Sequence, residues 1–119
     1  MSVPWVRMSG AGNELIILDA IARPDLAART DLAALAVAMC DPETGIGADS
    51  LLILSRDARD AMRMRVINAD GGTSAMCGNG LRCLARHAVE HGYVDDAMFA
   101  IITDAGPRAI RVNDGIASV

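Results

Sequence analysis

The chain has 119 residues, a formal net charge of −4 and only one each of Trp, Tyr and Phe, so a single domain spanning 1–119 with an aliphatic, methionine-rich core is expected. The acidic balance offers no basic surface to a polyanion, which argues against a nucleic-acid partner. The longest unbroken apolar run, Leu32 to Cys40, is far short of a membrane span.

The opening "MSVPWVRMSG" lacks the charged and apolar regions of a signal peptide, so a cytoplasmic location is expected. Within it, Val3 to Met8 reads as a strand, with Pro4 suited to a sheet edge. Gly10 to Asn13 is a turn, and "ELIILDA" is a strand of the kind buried on both faces. "TDLAALAVAMC" predicts a helix capped by Thr30 or Asp31 and ending near Cys40, before Asp41 and Pro42. "ETGIGAD" is a second glycine turn and "SLLILS" a third strand. "MRMRVIN" alternates Met62, Met64 and Val66 with Arg63 and Arg65, as a half-buried strand does. "NADGGTSAMCGN" reads as a long loop. From Gly80 to His91 the apolar residues Leu81, Leu84, Ala85, Ala88 and Val89 follow the helical period, and Gly92 suits the position after the helix. "AMFAIIT" and "RAIRV" are strands, and Asp114-Gly115 turns the chain into a return strand from Ile116 to Val119. Many short strands with two main helices imply an α+β fold with a mostly antiparallel sheet.

Three cysteines (Cys40, Cys77 and Cys83) cannot all pair within one chain, and free thiols in a reducing compartment are expected. Cys77 stands apart from the other two. It immediately precedes the second helix, where N–H groups lack internal partners and the macrodipole is positive. A thiol so placed is held partly as thiolate near neutral pH. Gly78 and Gly80, on either side of Asn79, let a ligand approach the backbone, whose N–H groups can bind a carboxylate or phosphate. The plainer reading of Cys77 is a small apolar residue at a helix start. Cys40 and Cys83 read as core thiols. The chain contains no lysine, which rules out a Schiff-base nucleophile, a pyridoxal-phosphate linkage or a P-loop lysine within these residues.

His87, Glu90 and His91 satisfy the H-x-x-E-H spacing of a class of zinc proteases. A third ligand is not evident, so the alternative of two solvated histidines at a helix end is preferred and no metal is expected. The glycine pairs Gly10/Gly12, Gly45/Gly47 and Gly78/Gly80 adjoin Asn13, Asp49 and Asn79, but none is a dinucleotide fingerprint. Asn68, Asp70 and Asn79 either stabilise turns or hydrogen-bond an amino-acid substrate; sequence does not divide those roles.

Together "MSGAGNELIILDA", "TGIGADSLLIL" and "MRVINADGGTSAMCGNGLRCLARHA" resemble the diaminopimelate epimerase family of cofactor-independent amino-acid racemases. The motifs fall in the family's order and run to about Ala88. The resemblance implies two similar domains, each a curved, mostly antiparallel sheet wrapped around a central helix, with this chain corresponding to the N-terminal one and the second domain absent. It implies that one cysteine removes the Cα proton while a second reprotonates the opposite face, converting LL-diaminopimelate to the meso form without a cofactor. Cys77 matches the first-domain cysteine, Asn13 and Asn68 match substrate contacts, and Gly78 and Asn79 match the helix end that holds the α-carboxylate. Ser50 stands where some relatives carry a substrate-contacting glutamine. Ser9, Ala11, Glu14 and Leu15 replace the usual histidine, leucine, aspartate and phenylalanine.

The partners expected are a small amino-acid substrate, the missing C-terminal domain and, for the chain alone, a second copy in a homodimer. Two alternatives stand beside this reading. One is a related racemase for another amino acid, and the other is a half-domain that binds carboxylates without turning them over.

Overall fold

A computed structural model of the chain describes residues 4–10, 12–95, 98–113 and 115–118. Strands β1 (Val6–Gly10) and β2 (Asn13–Asp19) form a hairpin whose register closes at Gly10 opposite Asn13. Gly12 takes φ +90° there, a left-handed conformation that glycine adopts without strain. β1 starts later than the sequence suggested. Pro4 and Trp5 precede it, consistent with a proline that has no N–H to give a ladder, and Val3 lies outside the described residues.

A short 3-10 turn (Pro24–Leu26) leads into helix α1 (Leu32–Cys40), and strands β3 (Ser50–Arg56), β4 (Met62–Asn68) and β5 (Thr73–Ser74) follow. Asp31 occupies the N-cap position of α1, as expected, but its carboxylate pairs with Arg29 rather than capping the helix. β5 interrupts what read as a continuous loop. Helix α2 (Gly78–Glu90) then precedes strands β6 (Met98–Thr103), β7 (Gly106–Asn113) and β8 (Ile116–Ser118). Asp114 of the last turn and Val119 lie outside the described residues.

The eight strands form one sheet in the order β1-β2-β3-β4-β6-β7-β8, with β5 beside β4. Five of its pairings are antiparallel; β2 with β3 and β4 with β6 are parallel. Each parallel pair is bridged by a helix, α1 in the first case and α2 in the second. Both crossovers step the same way along the sheet, but β2 and β4 point in opposite directions. The right-handed rule for such crossovers therefore puts the two helices on opposite faces.

The two cores agree with that placement. On one face Leu15, Ile17, Leu52, Leu54, Met62, Met64 and Val66 pack on Leu81, Leu84, Ala85 and Ala88 of α2. On the other, Ile16, Leu18, Leu51, Ile53 and Ile67 pack on Leu32, Ala36 and Cys40 of α1. β2 and β3 are thus buried on both sides, which is why they read as unbroken apolar runs. β4 is one-sided until Ile67, with Arg63 and Arg65 turned outward. Both edge strands, β1 and β8, also touch α2, so the sheet curls around that helix as a half-barrel. Among the described residues no helix is long and apolar enough to cross a membrane.

Candidate functional site

The ends of four elements meet at the N-terminus of α2. Leu15, Ser50 and Asn68 stand in one row across β2, β3 and β4. Side chains alternate along a strand, so Asn13 shares the face of Leu15, Ser50 that of Leu52, and Asn68 that of Val66. All three polar residues therefore face α2 at one end of the sheet. Asp49 secures this end: its Oδ2 accepts the Glu14 N–H at 2.8 Å, its own N–H donates to the Glu14 carbonyl at 2.8 Å, and its carbonyl accepts from Ala69 at 3.2 Å. The sequence marks Asp49 only as a neighbour of a glycine turn; its partners lie on β2 and just past the end of β4 and leave no local signal.

Cys77 is the N-cap of α2, with extended backbone at φ −139° and ψ 107°. Its Sγ accepts the Gly80 N–H at 3.3 Å, the place a serine or aspartate cap oxygen would otherwise take. The first turn of α2 carries no acidic residue to offset the helix dipole. Cys77 is half-buried, whereas Cys40 and Cys83 are buried, and burial pushes both of their thiols above the ordinary cysteine value.

Gly80 has a different role from the one its spacing suggested. A Cβ there would lie 3.1 Å from both Leu52 methyl carbons and 3.2 Å from Cys77 Sγ, so glycine serves close packing of the helix on β3 rather than ligand access. Gly78 is less crowded. A Cβ on it would meet nothing closer than the Arg82 guanidinium at 3.7 Å.

Asn79 Nδ2 donates to Asn13 Oδ1 at 2.8 Å, and Arg82 Nη2 donates to Asn79 Oδ1. Asn68 Nδ2 donates to Ser74 Oγ at 3.0 Å, while Ser50 Oγ donates to Asn68 Oδ1 at 3.4 Å. The sequence-derived set thus falls into two hydrogen-bonded groups at one end of the fold, Asn13 with Asn79 and Ser50 with Asn68. Asp70 belongs to neither: its Oδ1 accepts the Gly72 N–H at 2.8 Å within the turn. Ser74 and Arg82 were not singled out from sequence, although Arg82 lies three residues after Asn79, a spacing that places the two on one helix face. A cleft of about 200 Å³ opens between β1 and β8, lined by Ser9, Asn79, Arg82, Cys83 and Ile116 among others. Cys77 is not among its walls.

The two histidines do not form a metal centre. His87 is only 2 % exposed, contrary to the expectation of a solvated ring, and its Nε2 lies 2.8 Å from Asp19 Oδ2. That oxygen also accepts the Tyr93 hydroxyl at 2.5 Å, and Oδ1 accepts the N–H groups of Ile21 and Ala22. Burial alone would raise the Asp19 pKa, but the bonds from Tyr93, His87 and Ala22 outweigh it and hold the carboxyl below its usual range. The ring of His91 stacks on that of His87 with centroids 3.9 Å apart, and its Nδ1 is 2.9 Å from the His87 carbonyl oxygen. Among the described residues no three His, Cys, Asp or Glu side chains gather to hold a metal ion.

The curled sheet resembles a phenazine biosynthesis protein of the PhzF family from Enterococcus faecalis. The TM-score is 0.71 at 12 % identity, covering 96 % of this chain and 42 % of that one. It also resembles a hydroxyproline epimerase from Agrobacterium vitis, with TM-score 0.63 at 15 % identity over 94 % of this chain and 38 % of that one. At such identities the likeness concerns the fold alone.

Sequence relatives are closer. A diaminopimelate epimerase from Heliobacterium modesticaldum is 41 % identical over 102 residues, which are 86 % of this chain and 36 % of that protein. Another from Geobacillus kaustophilus is 40 % identical over 111 residues, 93 % of this chain and 38 % of its own length. The chain therefore spans well under half the length of these relatives. The family model for diaminopimelate epimerase matches residues 5–117, nearly the whole chain, which belongs to that family.

Proposed function

We propose that this chain supplies one face of an amino-acid epimerase site, with Cys77 as an acid/base that exchanges the α-proton of diaminopimelate between the LL and meso forms. The observation that carries the proposal is Cys77 itself: a half-buried thiol at the cap of α2, with Sγ on the Gly80 N–H, beside a helix end that has no acidic residue of its own. In the forward step the thiolate takes the proton from Cα, and the bonding electron pair moves into the α-carboxylate. The N-terminal N–H groups at Gly78 and Asn79 stabilise the charge that gathers there. A thiol on the opposite face then returns a proton to Cα and inverts its configuration.

That second thiol is neither Cys40 nor Cys83, both of which are buried in the two cores. In this reading it comes from the part of the relatives that this chain does not span. Asn13 and Asn68 contact the substrate and Ser50 supports Asn68. The chain working alone associates as a two-fold pair.

The test is a titration of the isotope-labelled chain with meso-diaminopimelate, followed by backbone nuclear magnetic resonance. Shifts confined to Gly78, Asn79, Asn13 and Asn68 are expected. A response centred elsewhere, or none at saturating ligand, refutes the site. Epimerisation of the ligand is expected to be undetectable with the chain alone, because inversion needs an acid and a base on opposite faces of Cα. Cys77-dependent epimerisation by the chain alone would mean that two copies rebuild a complete site. Running the same titration with a panel of other L-amino acids decides between diaminopimelate and another substrate.

A further inference from the structure

We infer that Arg82 is a positioning residue: by donating to Asn79 it fixes the amide orientations of both Asn79 and Asn13, so that Asn13 turns its Nδ2 donor toward a substrate. The inference rests on the proposed reading of this end of α2 as the substrate site.

Donor and acceptor capacities set the orientation of each amide. A guanidinium only donates, so the group of Asn79 that faces Arg82 must be its Oδ1. That turns the Asn79 Nδ2 toward Asn13, where it donates to Oδ1 at 2.8 Å. With Oδ1 turned to Asn79, the Asn13 Nδ2 faces the other way, and no bond to another described residue occupies it. An asparagine amide free to flip could serve a carboxylate or an ammonium equally. One locked in this sense selects a carboxylate oxygen or another acceptor.

The charge at this helix end favours the same ligand. Arg82 folds back over the first turn of its own helix, close enough that a Cβ on Gly78 would touch its Nη1 at 3.7 Å. A cation at a helix N-terminus opposes the dipole, and this turn contains no acidic residue to offset it. An anionic ligand resolves that conflict. The ligand class that follows is a carboxylate bound between the α2 N-terminus and the Asn13 amide.

The experiment uses the isotope-labelled chain and the side-chain NH2 signals of Asn13 and Asn79. In the ligand-free protein Arg82→Met is expected to shift and broaden both pairs, and Arg82→Lys to keep them close to those of the parent. Asn79→Asp provides a second route, since the carboxylate it introduces still accepts from Arg82 but cannot donate to Asn13, whose amide then turns over. Unchanged Asn13 signals in both Arg82→Met and Asn79→Asp, with the backbone spectrum intact, would overturn the inference.

Titrations with glutarate and with 1,5-diaminopentane read the selectivity. Glutarate should move the Asn13 NH2 signals and the diamine should not. Arg82→Met and Asn79→Asp should each weaken glutarate by about tenfold, whereas Arg86→Met, which removes an equal charge one turn further along α2, should not. Equal weakening by Arg86→Met would reduce Arg82 to a bulk charge. If glutarate does not bind the parent chain, the reading of the site fails, while the ligand-free signals still judge the relay.

Discussion

Replacing Gly80 with alanine sets two effects of opposite sign against each other, and the packing of α2 on β3 decides between them. Gly80 lies inside the helix, where alanine is worth roughly 1 kcal/mol over glycine on propensity alone. Against that, the new methyl would sit 3.1 Å from both terminal carbons of Leu52 and 3.2 Å from Cys77 Sγ. Leu52 is fully buried between β2, β4 and α2 and has nowhere to retreat. Overpacking of this kind costs about 1–3 kcal/mol, and moving Sγ off the Gly80 N–H forfeits about 1 kcal/mol more. The net expectation is a loss of about 1–3 kcal/mol. At roughly 4 °C per kcal/mol for a chain of this size, the melting temperature should fall by about 4–12 °C. Gly78→Ala is the control, because its methyl meets only an ordinary contact with Arg82 at 3.7 Å. It should leave the melting temperature unchanged or slightly raised. Thermal unfolding followed by circular dichroism compares the pair, and a Gly80→Ala protein that melts above the parent would show that α2 does not bear on Leu52 as described.

Three further outcomes are expected. Limited alkylation of the folded chain, located by mass spectrometry, should label half-buried Cys77 before Cys40 and Cys83, whose thiols are both buried and raised; equal labelling would remove the case for a distinct thiol. Tyr93 is the only tyrosine, so its phenolate absorbance reports one group, and burial together with the bond to Asp19 should move the midpoint from 10.0 to about 12. Because this value rises on folding, the stability it brings is complete below pH 10 and disappears as pH climbs through about 12; a folded-state midpoint near 10 would dissolve the Tyr93–Asp19 bond. Asp19→Asn should destabilise the chain by about 2 kcal/mol, since the groups facing the carboxylate are donors and an amide must turn its NH2 toward some of them. The Asp19 value is lowered on folding, so its contribution is present above pH 3.8 and lost below it. The variant should therefore show a shallower loss of stability in acid than the parent, as read by urea unfolding.

The parts of the fold that were legible in the sequence are those whose cause is local. The run LIIL announced a strand buried on both faces, and alternation in MRMRV announced a one-sided strand, because pattern and burial are the same fact there. Helix α2 and the place of Cys77 at its start were readable because a cap, its glycines and a 3.6 period are adjacent in sequence. What escaped had its cause far away. β5 is two residues long and exists only through Val66 and Ile67. His87 looked solvated because its partner, Asp19, lies on β2, sixty-eight positions earlier. Glycine's absence of a side chain at position 80 suggested ligand access, and only the position of Leu52 shows that it serves packing.

The same long-range contacts explain how a site at the tip of a helix is held steady. β2 and α2 run alongside one another, and hydrogen bonds join them at both ends: Asn13 to Asn79 at the start, Asp19 to His87 near the finish. Between these ties lie Leu15 and Ile17 on the strand and Leu81, Leu84 and Ala85 on the helix, all fully buried. A helix packed by apolar contacts alone can turn or slide at modest cost, since hydrophobic burial has no preferred direction. Two directional ties separated by about two turns of helix, roughly 12 Å, remove that freedom. A shift of one residue would rotate the helix by about 100° and break both ties together. The position of the first N–H groups, and of Cys77 ahead of them, is thus set partly by a buried histidine and aspartate at the opposite end of the helix. For the proposed proton transfer, in which displacement of about 1 Å is costly, that remote pair supports the proposed site as much as Asp49 does.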